Sequence, residues 1–405
     1  MGPGLITGAA DDDPSSIGTY SVVGAQLGTS ILWTAFLTWP LISAIQITCV
    51  RIGLVTGKGL ASALGEKFPR PIVAAVSLGL LFANTITVGA DLSAMADATE
   101  MLSGLNSHYC VIFFGVIIAL GMILFRYRYI ANVLKWFALS LFAYVLTAFV
   151  LHPNWNNILR ETFLPVWPTG HDAWAGLVAI FGATISPSVF FWQASQDPEE
   201  NSHLGPVMRF HKRRVRAKRI GPRNLGVAAG TVFSNIAMYF IILTTALTLH
   251  RNGITNIDTS RDAAAVLAPL AGPFAATLFT VGIVGVGLVS IPILITSAAY
   301  ALAEAFRWKA GLNETFKGAR PFYLVIILSI VTGIALDFVN VSPIKALYWA
   351  AIVSGLLAPF LLIGILLVAS DRNVMRQQPS SLLSRIAIAA TAAVMLGAAA
   401  GMFVF

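Results

Sequence analysis

Apolar runs long enough to cross a bilayer recur along the whole chain, at about residues 2–25, 29–50, 71–98, 109–125, 130–151, 174–198, 225–249, 263–305, 321–336, 343–369 and 381–405. With a span of roughly 20 residues as the template, this pattern predicts eleven transmembrane helices and an all-α polytopic membrane protein. Two of the runs are unlike the others. Gly8-Ala-Ala-Asp-Asp-Asp-Pro14-Ser-Ser and Gly182-Ala-Thr-Ile-Ser-Pro187-Ser each place a Gly-Ala step, then proline and polar side chains, at mid-membrane depth. Proline removes a backbone donor and crowds the preceding turn, so each span is expected to divide into two half-helices. The first and sixth spans are therefore predicted to be discontinuous.

The two interruptions are evenly placed, 174 residues apart from Gly8 to Gly182 and 173 from Pro14 to Pro187. Five spans separate them, and an odd repeat inverts its second copy. Interrupted helices at matching positions of two halves predict a 5+5 inverted repeat with a binding site at the midplane. The expected organisation is one transmembrane domain: residues 1–151 as the first repeat, 174–369 as the second, and 381–405 as an added eleventh helix.

Composition removes the soluble alternative. Of 405 residues, 57% are hydrophobic and 11% charged, with a mean hydropathy of +0.79, whereas a soluble domain carries about a quarter charged residues. The net charge of +8 raises the question of nucleic acid, and the placement of the basic residues answers it. Of 26 Lys and Arg, 22 fall in loops on one side, including eight between Arg209 and Arg223, and only Arg160, Arg251, Arg261 and Lys345 on the other. This asymmetry predicts a cytoplasmic N-terminus and cytoplasmic basic loops in a bacterial inner membrane. The run from His211 to Arg219 is read as a solvated loop touching lipid, with no nucleic-acid partner. Cys49 and Cys110 sit on separate spans without Cys-x-x-Cys spacing, so neither a zinc site nor a disulfide is indicated. The first span lacks a basic leader and is read as a retained helix.

Several short motifs resemble one family in order and spacing: Gly2-Pro-Gly-Leu, Asp13-Pro14, Gly24-Ala-Gln-Leu-Gly, Arg51-Ile-Gly-Leu-Val-Thr-Gly-Lys58, Leu267-Ala-Pro-Leu-Ala-Gly-Pro273, and Pro359-Phe-Leu-Leu with Ser370-Asp-Arg. From residue 2 to about 376 the chain is similar to the Nramp family of divalent-metal transporters. The resemblance implies a LeuT-like fold and movement of divalent cations, often coupled to protons. It also exposes departures. The family's Asp-Pro-Gly-Asn reads Asp13-Pro14-Ser15-Ser16, and its Met-Pro-His reads Ser186-Pro187-Ser188, with Ala183 where a backbone carbonyl faces the metal. A second family His falls on Gln193. The acidic pair of span 3 keeps Asp91 but has Ala94, and the metal-facing Gln of span 10 falls on Ala351.

A dehydrated divalent cation needs negative charge and oxygen ligands, which Asp13, Ser16, Ser186 and the Ala183 carbonyl can supply, with Asp12 and Asp11 beside them. Three successive carboxylates at membrane depth are costly unless they face water, a cation or a proton; one of Asp11 and Asp12 could merely cap a half-helix. Without the thioether the set is all oxygen, which favours a hard ion such as Mg²⁺ or Mn²⁺. Asp91 and Asp97 are candidates for a proton or ion route, with Asp97 equally explained by a hydroxyl partner. Ala94 and Gln193, together with the absence of a mid-span histidine, argue against proton coupling. The expectation is thus a monomeric, non-enzymatic transporter whose partners are a divalent cation and membrane lipid, with no resident cofactor. An organic, amine-like substrate on the same fold is the nearest rival. An intramembrane aspartyl protease could nominate Asp13 and Asp91, but no Gly-x-Gly-Asp context is present and the paired breaks would go unexplained.

Overall fold

The computed structural model describes residues 12–124, 137–165, 169–200, 220–312, 314–339 and 341–404, with side chains at all of these except 137–138, 196–200 and 220–223. The elements are helices α1 (Pro14–Leu27), α2 (Trp33–Thr56), α3 (Leu60–Leu64), α4 (Arg70–Ser103), α5 (Ser107–Leu124), α6 (Phe142–Val150), α7 (Trp155–Phe163), α8 (His171–Thr184), α9 (Pro187–Glu200), α10 (Ile220–Thr248), α11 (Ser260–Ala265), α12 (Ala268–Ala271), α13 (Ala275–Phe306), α14 (Arg320–Asp337), α15 (Pro343–Ser370) and α16 (Leu382–Val404). Among the described residues, nine stretches are long and apolar enough to cross a membrane. Spans 1 and 5 are represented by α1 and α6, which adjoin residues outside that set, so the expected count of eleven is not reached here. The molecule is an integral membrane protein of α-helices, as its sequence predicts.

The sixth span is divided where proline dictates. Helix α8 ends at Thr184: Ile185 leaves helical geometry (φ −102, ψ 61) while its N–H still bonds the Phe181 carbonyl. Helix α9 begins at Pro187, whose missing N–H costs nothing in a first turn. In the first span, Asp13 is extended (φ −69, ψ 171), Pro14 opens α1, and the Asp13 carboxylate accepts the Ser16 N–H as an N-cap. The expected first half of that span, with Gly8 and Asp11, lies outside the described residues.

Span 8 is shorter than its apolar run. Residues 263–305 were expected as one span, but the chain turns through α11, α12 and a 3₁₀ turn before α13 starts at Ala275. Pro269 and Pro273 cannot donate, and Gly272 adopts a positive φ of 50°, which ends α12.

Burial sorts the bundle. The best window of α8–α9 is 89% buried, against 33% for those of α5 and α14, so the broken span is central and the latter two face lipid. Phe82, Phe113, Leu328 and Phe360 are among the exposed side chains, while Asp12, Asp13, Asp91, Gln46, Gln193 and Ser234 are buried, an inversion suited to an apolar solvent. Close approach of backbones places α8 on α15: a Cβ on Gly182 would lie 1.9 Å from the Ala351 carbonyl oxygen, and one on Gly355 would lie 2.4 Å from that of Val178. Gly182→Ala is therefore expected to cost about 2 kcal/mol or more through overpacking. Thermal unfolding of the detergent-purified protein would register this as a lowered midpoint; an unchanged midpoint would mean the two backbones do not touch.

Basic residues of the described stretches around 51–70 and 371–385 meet at one end. Lys67 pairs with Asp371, Arg51 reaches the Gln378 and Pro379 carbonyls, and Arg376 donates to the Thr56 carbonyl. The hydrogen bond from Lys67, with the N–H groups of Asn373 and Val374, holds the Asp371 carboxyl below the usual carboxylate range. At the other end Lys345 pairs with Asp258 and His108 with Asp337.

Candidate functional site

The two helix breaks meet. At the start of α1, Asp13 Oδ1 accepts the Ser16 N–H at 2.7 Å and lies 2.8 Å from Ser16 Oγ. The same hydroxyl lies 3.3 Å from the carbonyl oxygen of Ala183, in the last turn of α8. Tyr20 Oη and Thr184 Oγ1, 3.2 Å apart, bridge the same two helices. A carboxylate, a hydroxyl and a carbonyl released near a helix end are thus brought together in the buried centre of the bundle. Ser186, also expected there, shares a hydrogen bond with Ser188 at 2.5 Å on the other side of the break.

Asp91 belongs to this centre. From the middle of α4 its Oδ1 accepts the Ser15 N–H at 2.9 Å, so the first two free amides of α1 are taken by two different carboxylates, Asp91 and Asp13. Both sit at the positive end of the helix dipole, where unsatisfied N–H groups favour anions. Ser15 also donates its hydroxyl to the Leu347 carbonyl at 3.1 Å, tying the break to α15. Asp12 points the other way, accepting from Ser234 Oγ of α10 at 2.8 Å. Among the described residues, Oδ2 of Asp12 and Oδ2 of Asp91 are buried without a hydrogen-bond partner. The ion pairs of the described residues lie elsewhere, as at Lys58–Glu66, Lys67–Asp371, Lys309–Glu314 and Lys345–Asp258. Three buried carboxylates without a protein cation among the described residues create a strong demand for a bound cation or for protons.

The remaining expected residues are placed as follows. Gln193 is buried on α9 and its Nε2 donates to Gln46 Oε1 of α2 at 3.4 Å. Asp97 lies six residues beyond Asp91 on α4, roughly 9 Å along the helix axis. There it accepts the Ser260 N–H at 3.2 Å and lines an open cavity of about 500 Å³ with Glu100 and Arg261. It is not joined to the central group. Asp11 lies outside what is described. Among the described residues, no three His, Cys, Asp or Glu side chains gather to hold a metal ion by themselves, so any metal here would draw on hydroxyl and carbonyl oxygens too. Sequence reasoning missed Ser15, Ser234, Tyr20 and Thr184. Each is a small or common polar residue in an apolar run, and only the packing of helices distant in sequence gives it a partner.

Comparison with known sequences gives the family of the chain. The model of the Nramp family, described as natural resistance-associated macrophage protein-like, matches residues 4–405. The chain belongs to the Nramp family. Its relatives include the divalent metal cation transporter MntH of Caldanaerobacter subterraneus, 26% identical over 402 residues, covering 95% of this chain and 88% of that one. Another is MntH of Chromohalobacter salexigens, 23% identical over 384 residues, covering 93% and 84%. Among solved structures, a mutant of the Eremococcus coleocola manganese transporter superposes with a TM-score of 0.73 at 15% identity, covering all of this chain and 87% of that one. The nucleobase-cation-symport-1 transporter Mhp1 in a closed conformation gives 0.55 at 15% identity, covering 99% and 96%. These two likenesses bear out the LeuT-like fold expected of an Nramp sequence.

Proposed function

We propose that this Nramp protein is a secondary transporter of divalent cations that works by alternating access, with the ion held where the two helix breaks meet. The single observation behind this reading is the contact of Asp13, Ser16 and the Ala183 carbonyl. It joins a charge and two neutral oxygens, from two half-helices, in a place without a protein cation among the described residues. Asp12 and Asp91 add charge around the ion, Ser186 is a further hydroxyl ligand, and Gln193 with Gln46 lies on the route toward the end that bears the basic loops. Asp11 and Asp97 are held as an additional ligand and an outer way-station. The MntH names of the relatives and the manganese transporter among the structures support a divalent substrate. Oxygen ligands alone favour Mg²⁺ or Mn²⁺ over softer ions.

The first test is uptake by the purified protein in liposomes, with Mn²⁺ and Mg²⁺ followed by internal dyes and pH recorded inside. Saturable uptake of either ion is expected. Uptake of an organic amine with no competition from any divalent ion would overturn the substrate and leave the fold standing. Selectivity gives a second test. Ser186→Met restores a soft ligand, and is expected to raise the affinity for Cd²⁺ relative to Mg²⁺ by about tenfold, equivalent to ~1.4 kcal/mol. Calorimetric titration with both ions measures the ratio, and a ratio equal to the wild type's would show that position 186 does not touch the ion.

A further inference from the structure

At the end of the bundle that carries the basic loops, a carboxylate outside the central group joins three elements. Glu304 stands in the last turn of α13, and its Oε2 accepts the Ser62 N–H of α3 at 2.9 Å. Its Oε1 accepts the Ser195 hydroxyl of α9 at 3.2 Å. The seat for this group is made by Gly59, where a Cβ would fall 1.7 Å from Oε1; any larger residue there would expel the carboxylate. Among the described residues no Lys, Arg or His pairs with it, so it is held by neutral N–H and O–H donors alone.

The element it holds is the half of span 6 that runs from the site toward this end. Helix α9 is pressed on its other side by α2, where a Cβ on Gly53 would meet the Ala194 carbonyl oxygen at 2.2 Å. Ser195, Ala194 and Gln193 are all buried. Apolar packing of α9 on α2 and α13 is non-directional and allows sliding. The Ser195–Glu304 bond is directional, and it is the described polar bond from this end of α9 to α13.

We propose that Glu304 is a positioning residue: its carboxylate fastens the inner half of span 6 to α3 and α13 in the closed state, and release of this fastening opens the site toward the end with the basic loops. Discontinuous helices that carry the site move against the rest of such a bundle during transport, and Glu304 reaches both the moving half-helix and the short helix beside it. The inference rests on the transport reading for its role but not for its geometry, and the test separates the two.

The full chain is placed in a background with Cys49→Ser and Cys110→Ser, with Val189→Cys as a reporter on α9. It is reconstituted in liposomes and labelled with a membrane-impermeant maleimide from the side of the basic loops. Ser195→Ala removes only the bond to α9 and leaves the α3 contacts intact. It is expected to raise the labelling rate about threefold or more by shifting the population toward the open state. It is also expected to change kcat for Mn²⁺ uptake, while the Kd for Mn²⁺ measured by calorimetry stays within about twofold. Glu304→Ala is expected to do the same more strongly, and Glu304→Gln, which keeps an acceptor, to lie between. Equal labelling rates in wild type and Ser195→Ala would overturn the proposal, even if Glu304→Ala fails to fold. Absence of any divalent uptake by the wild type would instead remove the transport reading, with the labelling comparison still deciding whether Glu304 is a fastening.

Discussion

Asp13→Asn protein is expected to fold as the wild type does and to lose divalent-cation uptake. The two halves of that result come from two functions of one side chain. As the N-cap of α1, Asp13 accepts the Ser16 N–H at 2.7 Å, and asparagine caps a helix about as well as aspartate; the start of the half-helix is preserved. As the charged member of the group with Ser16 and Ala183, it is the one residue there that attracts a dication strongly, and a neutral amide oxygen does not replace it. The expected loss of affinity is about 100-fold or more, equivalent to ~2.7 kcal/mol. Calorimetry with Mn²⁺ and liposome uptake should agree. Asp13→Ala should lose the cap too and melt at lower temperature, whereas unchanged affinity in the Asn variant would take Asp13 off the ligand list.

Asp91 is expected to separate charge from structure in a different proportion. Its Oδ1 satisfies the buried Ser15 N–H of α1. Asp91→Ala leaves that amide unpaired at a cost of about 1–3 kcal/mol, and the start of α1, which carries Asp13, should loosen. Thermal stability and uptake should both fall. Asp91→Asn retains the acceptor, so stability should stay near wild type while uptake falls about tenfold, because one of the three buried negative charges around the ion is gone. If the Asn variant transports like wild type, Asp91 serves the half-helix and not the ion.

The parts of this architecture that were legible in the sequence are those set by single residues. Pro14 and Pro187 cannot donate a backbone hydrogen bond, and each opens a helix at the position that chemistry requires. The apolar runs located most of the helices for the same reason: a bilayer needs an uninterrupted stretch of about 20 residues, and the demand is visible one span at a time. Span 8 shows the limit of that reasoning. Its run from 263 to 305 reads as one span in spite of the punctuation at Pro269 and Gly272-Pro273; apolar composition alone does not tell a turn from a helix. The candidate site was legible at Asp13, Ser16 and Ala183, where the Ser16 hydroxyl touches both of the others. It was not legible at Ser15, Ser234 or Glu304, because each has its role through a partner between 76 and 242 residues away. Which hydroxyl in an apolar helix will face a carboxylate on another depends on helix rotation, and no periodicity records that. Asp91 could be suspected from its depth in span 3, but its place at the first amides of α1 follows only from the crossing of α4 and α1.

Diffraction at the manganese absorption edge, from crystals grown with Mn²⁺, shows whether a divalent ion binds between the two helix breaks. The predicted result is an anomalous peak in coordination contact with the Asp13 carboxylate, the Ser16 hydroxyl and the Ala183 carbonyl, absent from crystals of Asp13→Asn. A peak lodged instead beside Asp97, Glu100 and Arg261, or equal peaks in wild type and variant, would contradict it.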